Sequence, residues 1–195
     1  MKNLTATLCA AALGGSALTG CSDVTLGHFS VDEEIPESTV QGIGLSQTLP
    51  LTFATFPMDV TSQAAYQQED FDYLTEVSLR RLVLSIDNKS DMPEHDAFED
   101  GNDDNFDFLS SLEISVEAVL DGQEQSVVVA RLTEDDPQIA SGTRELQLTT
   151  TGADILDFIE AEGGYEVTID GRGTVPPDDV IYAGKATYRL GLGFR

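Results

Sequence analysis

Leu112-Glu113-Ile114-Ser115-Val116-Glu117-Ala118-Val119-Leu120 is the stretch that decides the fold class. Apolar and polar side chains alternate along most of it with a period of two. A strand therefore carries Leu112, Ile114, Val116, Ala118 and Leu120 on one face and Glu113, Ser115 and Glu117 on the other. Asp121-Gly122 follows, a pair that reverses the chain between strands because both residues tolerate positive φ. Val127-Val128-Val129-Ala130-Arg131-Leu132 reads as the returning strand.

The same period recurs on both sides of this hairpin. Downstream, Arg144 to Thr150 alternates with Leu146 and Leu148 inward, and Tyr165, Val167 and Ile169 share a face. Val180 to Phe194 is a long strand with Tyr182, Ala186, Tyr188, Leu190 and Leu192 on one side. Between them, Gly152 to Glu162 reads as one helix. Thr151 or Asp154 starts it, Ile155, Leu156, Phe158 and Ile159 form its apolar stripe, and Gly163-Gly164 ends it. Upstream, 48–56 alternates through Leu49, Leu51 and Phe53, with Pro50 marking a sheet edge. Leu74 to Asp87 alternates too, but its phase changes. Val77 and Leu79 share one parity, and Leu82, Leu84 and Ile86 the other. The change falls at Arg80-Arg81 and predicts a bulge, with one of the two arginines partly buried against a carboxylate.

About seven short strands and one crossover helix predict an all-β fold, an antiparallel immunoglobulin-like β-sandwich over residues 48–195. A closed barrel enclosing a ligand cavity satisfies the same pattern. Tyr165-Glu166-Val167-Thr168-Ile169-Asp170-Gly171, entered from a helix and followed by a Pro turn and a final strand, resembles the late-embryogenesis-abundant type-14 (WHy) domains. That resemblance implies a sandwich and nothing about activity.

The N-terminus reads as an address. Lys2 precedes a charge-free run from Leu4 to Leu18, which at about 15 residues is shorter than the roughly 20 a membrane-crossing helix needs. Leu18-Thr19-Gly20-Cys21 then resembles the lipobox of bacterial lipoproteins. The resemblance implies a signal peptide over 1–20, fatty chains (palmitate-type) on Cys21, and cleavage just before it. Ser22 next to that Cys implies the outer membrane. Residues 21–47, with the run Asp32-Glu33-Glu34-Ile35-Pro36-Glu37 and Gly42-Ile43-Gly44, are expected as a lipidated end and flexible linker, with docking of part of it as an edge strand, through Val31 or Ile35, as the alternative. His28 falls within it.

The chain has 195 residues, 10 Lys and Arg, 35 Asp and Glu, and a formal charge of −25. Such a surface excludes nucleic acid, whose binding runs on cationic side chains neutralising phosphates. It fits solubility, or recognition of a basic or cation-bridged partner. Asp100, Asn102 and Asp104 stand at i, i+2 and i+4 with Asp107 beyond, oxygen donors of the kind Ca²⁺ takes. Asn105 replaces the Gly an EF-hand requires, and Leu112 stands where its Glu would be. The segment 91–107 is therefore a weak calcium candidate, otherwise a solvated acidic insertion. His95 lacks the second His or Cys that a transition-metal site needs. No Gly-x-Ser-x-Gly elbow, phosphate-binding glycine loop or cofactor motif is present.

These readings converge on an expectation: an outer-membrane lipoprotein, held by its anchor, that binds an envelope protein or another partner, or acts structurally, without catalysis and without a cofactor. Two other classes fit the same residues. One is a carrier of an apolar ligand in a β-lined cavity. The other is a carboxylate-based hydrolase with two acids about 5–10 Å apart.

Overall fold

The computed structural model describes residues 27–42, 48–51, 73–91 and 104–193. Among them are eight strands. They are β1 (Gly27–Val40), β2 (Thr48–Leu51), β3 (Tyr73–Ile86), β4 (Leu109–Leu120), β5 (Gln123–Leu132), β6 (Glu145–Thr150), β7 (Tyr165–Thr174) and β8 (Val180–Gly193), with helix α1 (Leu156–Ile159) between β6 and β7. Every pairing is antiparallel, so the fold is all-β with one short crossover helix. The hydrogen-bonded order runs β1-β8-β3-β6-β5-β4-β7-β2.

Strand β6 joins two wings of this sheet. Its residues 145–148 pair with Ser85 to Leu82 of β3, whereas Thr149 and Thr150 pair with Arg131 and Ala130 of β5. On the side that β3 leaves open, the Gln138 side chain takes the place of a strand. The Gln138 amide donates to the Gln147 carbonyl at 2.9 Å and accepts from the Gln147 N–H at 2.8 Å. Passing one strand from wing to wing curls the sheet. Inward residues of both wings then meet in one core, which includes Val77, Leu79, Leu82 and Leu190 on one side and Leu112, Ile114, Val116 and Leu132 on the other. Leu146 and Leu148 of β6 belong to it, and Ile155 and Phe158 around α1 join it from the crossover. Tyr188 lies wholly inside; burial, reinforced by the nearby Glu33 carboxylate, pushes its hydroxyl far above the ordinary phenol range.

The β4–β5 hairpin turns on Asp121 and Gly122 with φ of 52° and 76°, the positive pair that a two-residue turn between twisted strands demands. In β3 the register slips between Leu79 and Arg81, which confirms the bulge at the arginines. Arg80 there lies against the Glu76 carboxylate at 3.5 Å with its side chain 41% exposed, and Arg81 is exposed as well. An extra residue stands opposite one partner there, so the strict alternation of faces does not apply.

Three expectations change. Within 21–47 the edge-strand alternative replaces the flexible linker, because Gly27–Val40 is β1, an eighth strand and an edge of the sheet with Val31 and Ile35 buried. Phe29, Val31, Glu33 and Ile35 alternate inward there, and a register shift between Ile35 and Ser38 accommodates Pro36. The helix expected over 152–162 is a single turn, Leu156–Ile159. Asp154 Oδ1 accepts the Leu156 N–H at 3.1 Å but also the Val77 N–H at 3.0 Å, which ties the helix start to β3. The solvated insertion ends earlier than expected, because Phe106 is buried at 2% exposure and its N–H donates to the Thr143 carbonyl at 2.9 Å. Of strand 48–56, residues 52–56 lie outside the described residues; β2 does stand at a sheet edge, as Pro50 implied.

Gly173 in β7 is a point where the packing tolerates no side chain. The Phe108 carbonyl comes over it to accept the Thr174 N–H at 2.8 Å, and a Cβ on Gly173 would overlap that carbonyl. Gly27 has nothing within 4 Å of such a Cβ. Gly173→Ala should cost about 1–3 kcal/mol and lower the melting temperature by roughly 2–4 °C per kcal/mol, while Gly27→Ala leaves melting unchanged; thermal unfolding of the two variants checks this.

Candidate binding face

Two polar arrangements occupy the same end of the sheet. The first forms where β1 and β3 start and β8 finishes. The Glu76 carboxylate accepts the Ser78 hydroxyl at 3.0 Å, lies 3.2 Å from His28 Nε2 and 3.5 Å from Arg80 Nη2. Arg189 Nη2 is 2.8 Å from the same His28 nitrogen. That nitrogen accepts from Arg189 when it carries no proton and donates to Glu76 when it does. Burial raises the Glu76 pKa, but hydrogen bonds from Ser78 and His28 and the Arg189 charge outweigh it and hold the carboxyl below its ordinary 4.5.

The second arrangement is a pair of open grooves beside the tip of the β4–β5 hairpin. The larger, about 810 Å³, lies between that tip and α1 and is lined by Val119, Leu120, Asp121, Asp157, Glu160 and Glu162 among others. The smaller, about 460 Å³, lies on the other side of Val119 and adds Glu117, Glu124 and Glu166. Val119 is 52% exposed, the one large apolar side chain among the described residues that stands so far into solvent. Its parity explains the exposure. Leu112, Ile114, Val116 and Ala118 face inward, so Val119 faces out. The described lining of both grooves contains carboxylates, amides and small apolar groups, and no Lys or Arg. Chemically such a face favours cations and amines.

Of the residues singled out in the sequence, the described ones, Asp104 and Asp107, do not line these grooves. Cys21, Asp100, Asn102 and His95 lie outside the described residues. Asp104 accepts the Ser90 hydroxyl with its carboxylate, and its carbonyl accepts from Arg144 Nη1 at 2.9 Å. Asp107 Oδ1 accepts the Gly142 N–H at 2.7 Å. Both acids thus fasten the segment before β4 to its neighbours. Among the described residues, no group of three or more His, Cys, Asp or Glu gathers closely enough to hold a metal ion. The groove escaped sequence reading because it needs α1 beside the hairpin tip, a contact across some 40 residues. The outward parity of Val119 was the one signal available.

The Glu76 arrangement has a pH signature. Its depressed pKa makes a stabilising contribution that is complete above the unfolded-state value near 4.5 and disappears as pH falls through the lower folded value. Glu76→Gln should therefore be less stable than the parent by up to about 1 kcal/mol at pH 6, with the difference vanishing toward pH 3; denaturant melts at both pH values measure it. No family model matches the chain, and neither does any curated protein.

Proposed function

We propose that this protein is a lipid-anchored outer-membrane protein that works by binding or structural attachment and not by catalysis. The observation that carries the reading is Leu18-Thr19-Gly20-Cys21, closing a charge-free apolar run that begins just after Lys2. One acyl chain alone holds a protein to a bilayer only marginally, since each buried CH₂ contributes about 0.8 kcal/mol. Several chains on Cys21 make the attachment practically permanent, so the body needs no apolar or basic surface of its own to stay there. The charge of −25 agrees with that division of labour, because such a body is not attracted to anionic lipid.

The interior favours binding at the surface over carriage inside. Core side chains from both wings are 0–9% exposed and pack as one cluster. The grooves described above are open and lined with carboxylates, the wrong chemistry for an apolar cargo. The partner class that suits this face is amine-bearing or cationic.

Growth of producing cells on an alkyne-bearing fatty acid tests the anchor. The parent chain and Cys9→Ser should take up label, and Cys21→Ser should lose it. Label retained by Cys21→Ser, or missing from the parent, would overturn the reading.

A further inference from the structure

We propose that the hairpin-tip end of the sheet, carrying Val119 and the acidic groove, rests against the bilayer's headgroup layer. The inference rests on the lipid-anchor reading of Cys21 and adds to it an orientation and a contact surface.

Chain length supplies the first argument. Strand β1 begins at Gly27. Six residue steps separate it from Cys21, and even fully extended they reach only about 20 Å. The start of β1 is thus held close to the glyceryl group on Cys21. Strand β1 is itself 14 residues long. At about 3.3 Å per residue its far end stands some 40 Å away from its start. The anchor therefore distinguishes the two ends of the body.

Topology supplies the second. Gly27 pairs with Leu192 at the end of β8, and Gly193 pairs with Tyr73 at the start of β3. His28 reaches Glu76 of β3 at 3.2 Å. The next residue, Val77, gives its N–H to Asp154 at 3.0 Å and accepts the Ile155 N–H at 2.8 Å. Two residues on, Asp157 lines the groove with Asp121 and Val119. A series of contacts thus runs from the strand start to α1, which shares the groove with the hairpin tip. The opposite end holds the finish of β3 and β5 and the loop that includes Asp135.

The chemistry of the contact follows. Val119 stands exposed on the outward face beside the tip, and the carboxylates around it meet the ammonium groups of zwitterionic, amine-bearing headgroups. Beyond about 8 Å at physiological salt the carboxylates are screened, so they act on the headgroup layer only when this end is down. A wholly anionic surface offers no such amines and pushes the same end away.

The test uses the lipidated protein purified from its producing cell, in vesicles of amine-bearing zwitterionic lipid with a headgroup-linked quencher. A fluorophore is placed on Val119→Cys, on Glu124→Cys as a second position in the grooves, or on Asp135→Cys at the far end. Quenching should be several-fold stronger at positions 119 and 124 than at 135, and should fall at both when all headgroups are anionic. Equal or reversed quenching, with the mass of the same sample showing an acylated Cys21, would overturn the orientation and leave the anchor standing. Equal quenching on both lipid surfaces would overturn the amine contact. A bare Cys21 would overturn the anchor and this inference with it.

Discussion

The fold depends on how β6 divides its hydrogen bonds. Four of its residues belong to the ladder with β3, and the last two to the ladder with β5. The two ladders use different residues of β6, so β3 and β5 flank different parts of it. The sheet therefore bends at this strand, and the two wings close over a shared core. Leu146 and Leu148 sit at the fold of the hinge, 1% and 2% exposed, where they touch what both wings contribute. Gln138 completes the arrangement by meeting the backbone groups of Gln147 that neither wing reaches.

The outer strand β1 is fastened to the sheet by backbone and side chain alike. It pairs with β8 along nearly its whole length, and Asp32 pins it from outside by accepting from Lys185 Nζ and Thr187 Oγ1, both at 2.8 Å. Those two hydrogen bonds, that of Lys185 foremost, hold the Asp32 carboxyl below its usual range. The same strand carries Glu34, Pro36 and Glu37 in exposed positions. Charges, a missing N–H and a register shift are the features that discourage a second chain from adding to a sheet edge. An outer strand without such features would invite aggregation.

Much of this architecture was legible because alternation is a local signal. The strands of the β4–β5 hairpin, the Leu146 and Leu148 pair, and β8 follow from period two alone. The bulge in β3 was legible for the same reason, since a phase change between Leu79 and Leu82 has one physical meaning. Strand β1 was obscured by Glu33, a carboxylate on the inward face, and by Pro36, both of which mimic a solvated linker. The helix was overread because Gly152 takes a φ of 70° and Asp154 is drawn toward β3, so the apolar stripe begins in a loop. Another bulge lies between Ile114 and Ser115, where Val129 is the extra residue on β5 and both Val129 and Ala130 become buried. A run of three valines conceals such a shift. The acidic groove was the least legible part, because it is made where α1 meets a hairpin tip distant in sequence. Asp104 and Asp107 share a short segment but turn to Ser90 and Gly142 instead of toward each other.

Attachment through Cys21 is the claim on which orientation and function both stand. Intact-mass and N-terminal fragment analysis of the protein from its producing cell is the most direct measurement. The expected product begins at Cys21, lacks residues 1–20, and carries the mass of a diacylglyceryl group and an amide-linked acyl chain. A product that still begins at Met1, or whose Cys21 thiol is bare, would contradict it.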